Sequence, residues 1–207
     1  MDQVILQKIF LYLIIVFSAV FHEFAHAWTA YRLGDTTAKD GGRLTLNPIP
    51  HLDPIGTVAL PLLLLFTSGM FLGWAKPVPY DPNRLRDQKY GSLKVGVAGP
   101  VSNLLIALLL GLLIRFFGAT PELLGVSSVF FQFLALIVYI NIFLALFNLL
   151  PIPPLDGSKL LMDLYPRAFQ YLESLGFLGL ILALFFAFYL LSPIADFVFM
   201  LITGARF

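Results

Sequence analysis

The sequence predicts an all-α polytopic membrane protein, and three observations carry that expectation. Of its 207 residues 59% are hydrophobic and only 12% charged, with a mean hydropathy of +0.88, which is not a soluble composition. Apolar runs close to the length that spans a hydrocarbon core of about 30 Å as a helix recur along the chain. Ionisable side chains gather between these runs, with one exception inside the first.

Composition also limits chemistry. A formal net charge of +1 gives no footing for a nucleic-acid partner or a polyanionic substrate. There are no cysteines, so a transition metal must be held by histidine and carboxylate alone. The N-terminus lacks a basic stretch and the first apolar run ends without a small-residue cleavage signal, so that run reads as a retained helix. With no polar block of domain size and no internal repeat, residues 1–207 read as one membrane domain. Its core would cover about 5–165 and its C-terminal membrane helices about 168–204.

The elements follow in order. Val4 to Tyr31 reads as a first helix, about 42 Å long at 1.5 Å per residue, closed by Gly34-Asp35. Gly41-Gly42-Arg43-Leu44-Thr45-Leu46-Asn47-Pro48 has a glycine turn followed by alternation, predicting a short cytosolic-side β segment at Arg43–Leu46. Thr57 to Leu72 is apolar but short for a span, is interrupted by Pro61, and breaks again at Thr67-Ser68-Gly69. A basic loop from Gly73 to Lys94 leads to a span from Val95 to Phe117, and another span runs from Val129 to about Leu149. The run Pro151-Ile152-Pro153-Pro154 cannot continue a helix, so the backbone must unwind before Asp156. Leu175 to Leu191 is the last long apolar segment, followed by Ser192-Pro193 and a shorter apolar tail.

Loop charge sets the topology. If Thr57–Leu72 crosses the membrane, the flanking Lys and Arg residues divide eight against four. If it is a re-entrant hairpin they divide ten against two, with Lys8 and Arg115 alone on the far side. The hairpin is the better reading. It places the N-terminus outside and brings the exit ends of the first and fourth apolar segments to the same cytosolic depth.

The exception inside the first run is Phe21-His22-Glu23-Phe24-Ala25-His26. Histidines four apart share one face of a helix and can bind one metal ion. In the pattern H-E-x-x-H that ion is zinc, and the glutamate is a general base. Charged groups within a membrane cost about 2.5–3.5 kcal/mol each near the bilayer centre, so they read as functional. A catalytic zinc takes three protein ligands and leaves one position open. The third ligand must be His51, a glutamate or an aspartate. Asp156, beyond the proline break, is the best candidate, because an unwound segment can turn a carboxylate inward. His51, among Asp and Pro, suits a loop hydrogen bond better. Asp53 and Asp163 read as solvated interfacial charges.

Three segments taken together resemble the site-2 protease family of intramembrane zinc metalloproteases. They are His22-Glu23-x-x-His26, Ala98-Gly99-Pro100-x-x-Asn103, and Asn148-x-x-Pro151-x-Pro153-x-x-Asp156-Gly157, in the family's order. Gly42 to Pro48, His51-x-Asp53-Pro54-x-Gly56 and Gly73 to Pro79 are similar to its compact prokaryotic branch, without a PDZ insertion or CBS pair. The resemblance covers roughly residues 5–165. It implies a helical bundle with three core helices carrying the site. One Zn²⁺ per chain would be bound by His22, His26 and Asp156, with Glu23 catalytic and Asn148 stabilising the oxyanion. It also implies a close polar helix contact at Gly99 and Asn103. The expected activity is endopeptidase cleavage of membrane-protein substrates in or near their transmembrane helices, within the cell membrane and near its cytosolic face. Two other readings use the same cluster: a cation or proton transporter, and a non-catalytic membrane binding module. The absence of an inverted repeat weighs against the first, and the intact Glu23 against the second.

Overall fold

In the computed structural model, which describes residues 3–67, 73–118 and 127–207, every regular element among those residues is helical. Among the described residues four stretches are long and apolar enough to cross a membrane: Ile5–Arg32, Gly91–Phe117, Val129–Asn148 and Leu184–Thr203. The protein is therefore a polytopic helical membrane protein. It divides into two units, Met1–Gly91 and Ser92–Phe207.

The first unit is built on helix α1, Gln3–Arg32. Its sequence carries two stripes at a spacing of four. Ile14, Ser18, His22, His26 and Ala30 are buried, whereas Ile5, Ile9, Leu13, Phe17 and Phe21 are exposed. One face is thus lipid-compatible and the other holds the polar residues. The helix ends in paired bonds, Gly34 N–H to Tyr31 O and Asp35 N–H to Ala30 O, each 3.0 Å. Gly34 takes a φ of 105°, which glycine adopts without strain. Asp35, fully buried, accepts from the Thr37 N–H at 3.0 Å and the Asp81 N–H at 2.7 Å. It thereby ties the short helix α2, Thr37–Asp40, to the segment around Asp81.

The expected β segment is not formed, and no strand occurs among the described residues. The reason is local. The Arg43 N–H closes the end of α2 on Ala38 O at 2.8 Å, the Asn47 N–H bonds Thr45 Oγ1 at 3.1 Å, and Asn47 Oδ1 accepts from the Ile49 N–H at 3.1 Å. Ser/Thr and Asx turns of this kind compete with a ladder, so residues 43–47 run through bends.

The apolar stretch that follows begins with a wide helical turn, Pro54–Ala59, and continues as α3, Leu60–Thr67. Asp53 caps it, accepting from the Ile55 and Gly56 N–H groups at 3.0 and 2.6 Å. Asp53 is thus a capping carboxylate and only half-buried. The tip of the expected hairpin, 68–72, lies outside the described residues. Its two ends meet: the Trp74 N–H bonds Gly56 O at 3.0 Å, the Lys76 N–H bonds His51 O at 3.0 Å, and the Thr57 hydroxyl donates to Trp74 O at 2.8 Å. A Cβ on Gly56 would lie 2.1 Å from the Trp74 ring, so the neck closes only around glycine.

The second unit comprises α4 (Gly91–Phe117), α5 (Ser128–Asn148), α6 (Ser158–Leu164), α7 (Pro166–Ser174), α8 (Phe177–Phe186) and α9 (Ser192–Thr203). Ala107, Val138, Ile142, Ala195 and Phe199 form its core, where α4, α5 and α9 pack together. A Cβ on Gly111 would stand 2.4 Å from Ile202, which records how closely α4 and α9 approach. The Leu93 N–H, in the first turn of α4, donates to Asp163 at 2.7 Å, so Asp163 too is a capping carboxylate. Ser192-Pro193 does not end the last apolar segment. A wide turn at Ala187–Leu191 precedes Pro193, and the helix continues to Thr203. Such a turn relieves the clash of the proline ring with the preceding carbonyls.

Candidate active site

In the first unit the four-residue spacing on α1 places the His22 and His26 rings edge to face, with centroids 4.6 Å apart and each residue 6% exposed. Between them in sequence, Glu23 directs Oε2 at the main chain of the segment 73–80, accepting the Val78 N–H at 2.7 Å. Val78 packs in a small apolar cluster with Ala27 and Ala38, against Leu44. Its side chain therefore seats the same residue whose N–H meets the carboxylate. Two covered imidazoles on one face, in a chain without thiols, form a donor set that fits zinc.

His51 is 1% exposed. Its Nε2 lies 2.9 Å from Thr45 O, and its Nδ1 has no partner among the described residues. The ring holds the bend at 43–51.

In the second unit, α5 ends at Asn148 and the proline-rich loop returns to the same residue: the Gly157 N–H donates to Asn148 O at 2.7 Å. The Pro153–Pro154 bond in this loop is cis. Asp156 is held at the loop's end, its side chain 11% exposed and its Oδ1 2.7 Å from Lys159 Nζ. Two glycines make room. A Cβ on Gly157 would lie 2.2 Å from Leu149 O, and one on Gly96 would lie 2.8 Å from Lys159 Cδ and 3.0 Å from Asp156 O. Helix α4 thus packs directly beneath the Asp156 loop. The Asn148 side-chain amide donates to Leu144 O at 3.0 Å.

Asn103 is fully buried one turn beyond the buried Gly99. It donates through Nδ2 to Asn141 Oδ1 at 2.8 Å, joining α4 to α5, while Asn141 donates to Ile137 O at 2.9 Å.

Sequence reasoning passed over Val78 and Asn141. Asn141 had a signal, an amide in the middle of a 21-residue apolar helix. Val78 had none, because it acts through its backbone.

Among the described residues, four apolar helices and a covered His-Glu-x-x-His face mark a polytopic membrane protein with a pair of metal-type donors on its first helix. Comparison with known proteins extends this. The model for peptidase family M50 matches residues 124–192. YwhC of Bacillus subtilis, a proposed zinc metalloprotease, is 41% identical over 175 residues, covering 82% of this chain and 77% of YwhC. Rip2 of Mycolicibacterium smegmatis is 35% identical over 140 residues, covering 68% of this chain and 51% of Rip2. The zinc metalloprotease MJ0392 of Methanocaldococcus jannaschii is 25% identical over 164 residues, covering 79% of this chain and 37% of its own length. No solved structure matches the chain. The chain belongs to peptidase family M50, the site-2 protease family of zinc metalloproteases.

Proposed function

We propose that this member of the family is an intramembrane endopeptidase. It would bind one zinc ion through His22, His26 and Asp156 and cleave membrane-protein substrates in or near their transmembrane helices. The observation that carries the reading is the posture of Glu23. It is adjacent to His22 and its carboxylate is fixed by the Val78 N–H at 2.7 Å.

Each of His22, His26 and Asp156 offers one metal-ligating atom. Two imidazoles and one carboxylate make a three-ligand set that leaves a position open. Zinc, when bound, acidifies a water molecule and polarises the scissile carbonyl. Glu23 takes a proton from the attacking water and delivers it to the leaving amine. The Val78 N–H holds one carboxylate oxygen still while the other works. Asn148 supplies an amide donor to the tetrahedral oxyanion, exchanging its bond to Leu144 O for one to substrate; such a donor is worth about 3 kcal/mol of barrier. His22, Glu23 and His26 lie on α1, Asn148 ends α5 and Asp156 follows in the loop after it, with Gly99 and the Asn103–Asn141 bond locking α4 to α5.

The closed neck at Gly56 and Trp74 supports a re-entrant hairpin rather than a span. With the loop charges, it supports an N-terminus outside and a site near the cytosolic face, where water would reach it. The substrate is then a transmembrane protein entering from the bilayer.

The test uses purified protein with zinc in proteoliposomes and a panel of single-span reporter proteins whose helices end in a helix-breaking Gly-Pro pair. Glu23→Gln should retain zinc and lose cleavage by about 10²-fold or more. Cleavage that survives this substitution refutes the reading. Zinc accumulation inside the vesicles without cleavage would establish transport instead.

A further inference from the structure

Arg43 has no part in the site as described, yet it is 7% exposed and its cation meets no carboxylate among the described residues. Its Nη2 donates to Lys76 O at 2.6 Å and approaches Pro77 O at 3.4 Å. Its Nε is buried without a partner among the described residues. Burying a cation against neutral acceptors, with one donor unused, is a poor way to stabilise a fold.

The carbonyl of Pro77 and the N–H of Val78 belong to one peptide group. That group is planar, so fixing the carbonyl fixes the direction of the N–H. Arg43 grips this peptide and the one before it from one side, and Glu23 accepts the Val78 N–H at 2.7 Å from the other. The sequence makes the strap stiff. In Lys76-Pro77-Val78-Pro79 both prolines have locked φ, and the residues before them are confined to extended backbone. Arg43 itself is anchored by its N–H to Ala38 O at 2.8 Å, and Ala38 packs with Val78 and Ala27. Every part needed to transmit position from Arg43 to Glu23 lies in the first unit.

We propose that Arg43 is a positioning residue for Glu23, acting through the Val78 N–H across the Lys76–Val78 strap. This rests on Glu23 being the general base. Holding one carboxylate oxygen on a main-chain donor fixes the orientation of the other, and its alignment with the attacking water depends on that. A side chain that lowers the barrier only through such alignment affects turnover and leaves zinc and substrate binding alone.

The experiment compares Arg43→Met, Arg43→Lys, Val78→Pro and the Arg43→Met/Val78→Pro double variant in the full chain, using the proteoliposome reporter assay. Zinc content, KM, kcat and thermal unfolding are read for each. Arg43→Met should keep zinc content, KM and unfolding temperature while kcat falls about tenfold or more. Val78→Pro removes the donor, sets a ring carbon where the N–H met Glu23 and keeps an extended strap, and should lower kcat at least as far. The double variant should be no slower than the worse single variant, because both act through one N–H. Arg43→Lys, which keeps a cation able to reach one carbonyl, should recover part of kcat. Losses that multiply in the double variant would overturn the proposal, as would Arg43→Met lowering unfolding temperature and kcat together, or Lys and Met being equally slow. If a proline-bearing variant does not fold, the Lys-against-Met comparison decides alone. Retained cleavage in Glu23→Gln would sink the parent reading; its loss alongside an unchanged kcat in Arg43→Met would sink this inference only.

Discussion

Gly157→Ala tests whether the Asp156 loop has to close as tightly as it does. Gly157 sits at φ −59° and ψ −21°, a conformation open to any residue, so the substitution adds no backbone strain. Its whole effect is the new methyl group. That carbon would lie 2.2 Å from Leu149 O, 2.5 Å from Leu149 C and 2.6 Å from Leu150 O. All three atoms are backbone at the end of α5, so none can swing aside. The loop must open by about 1 Å, breaking the Gly157–Asn148 bond and carrying Asp156 with it. Overpacking of this kind costs about 1–3 kcal/mol, and the lost hydrogen bond about 1 kcal/mol more.

The larger effect should fall on the metal and on turnover. Disturbing the support of a metal ligand costs about 10–100-fold in affinity, and a misplacement of about 1 Å near the chemistry can cost about 10²-fold in rate. The assay is zinc retained after dialysis against graded chelator, followed by reporter cleavage in zinc-saturated vesicles. Gly179→Ala is the control, since its nearest neighbour would be at 3.6 Å, an ordinary contact. It should match wild type in zinc and activity. Wild-type zinc retention in Gly157→Ala would refute both the rigidity of the loop and the role of Asp156 as ligand.

Two further predictions concern the first unit. Single cysteines at Gly34 and Trp74 should both react with a membrane-impermeant maleimide from the cytosolic side, because the hairpin neck closes at Gly56; labelling from opposite faces would remove the hairpin. Burial opposes ionisation of Asp35, but the Thr37 hydroxyl, the Thr37 and Asp81 N–H groups and the Arg84 charge outweigh it and hold its carboxyl below the usual carboxylate range. A lowered native pKa stabilises the fold above the unfolded value of about 3.9, and this stabilisation is lost as pH falls through the native value. Thermal unfolding in detergent should show Asp35→Asn less stable than wild type near pH 6, with the gap narrowing as pH falls below about 4. A gap independent of pH would contradict that assignment.

The features legible in the sequence are those encoded within one turn or one run. The spans follow from length and hydropathy, and the helical spacing of His22 and His26 fixes their common face whatever surrounds them. The features that escaped depend on partners far along the chain or on competition between local bonds. Leu44 and Leu46 alternate as in a strand, but Thr45 and Asn47 bond their own backbone and His51 takes the Thr45 carbonyl, leaving no ladder to form. Pro193 looks like a terminator until a wide turn is placed before it. Asp53 and Asp163 look solvated because a capping carboxylate and a free one are the same letter.

The same distinction explains why Glu23, the proposed general base, looks self-sufficient in sequence and is not so in structure. A His-Glu-x-x-His motif specifies where Glu23 sits on its helix but not where its carboxylate points. That direction comes from an N–H 55 residues away, and N–H groups leave no mark in the sequence. What does leave a mark is the apparatus that aims it: a proline on each side of Val78, and an arginine placed after a glycine turn where its guanidinium reaches the two preceding carbonyls. In a membrane enzyme this division has a physical cause. A carboxylate within an apolar helix must be satisfied by the protein, and the Val78 N–H does so without a cation set directly against Glu23.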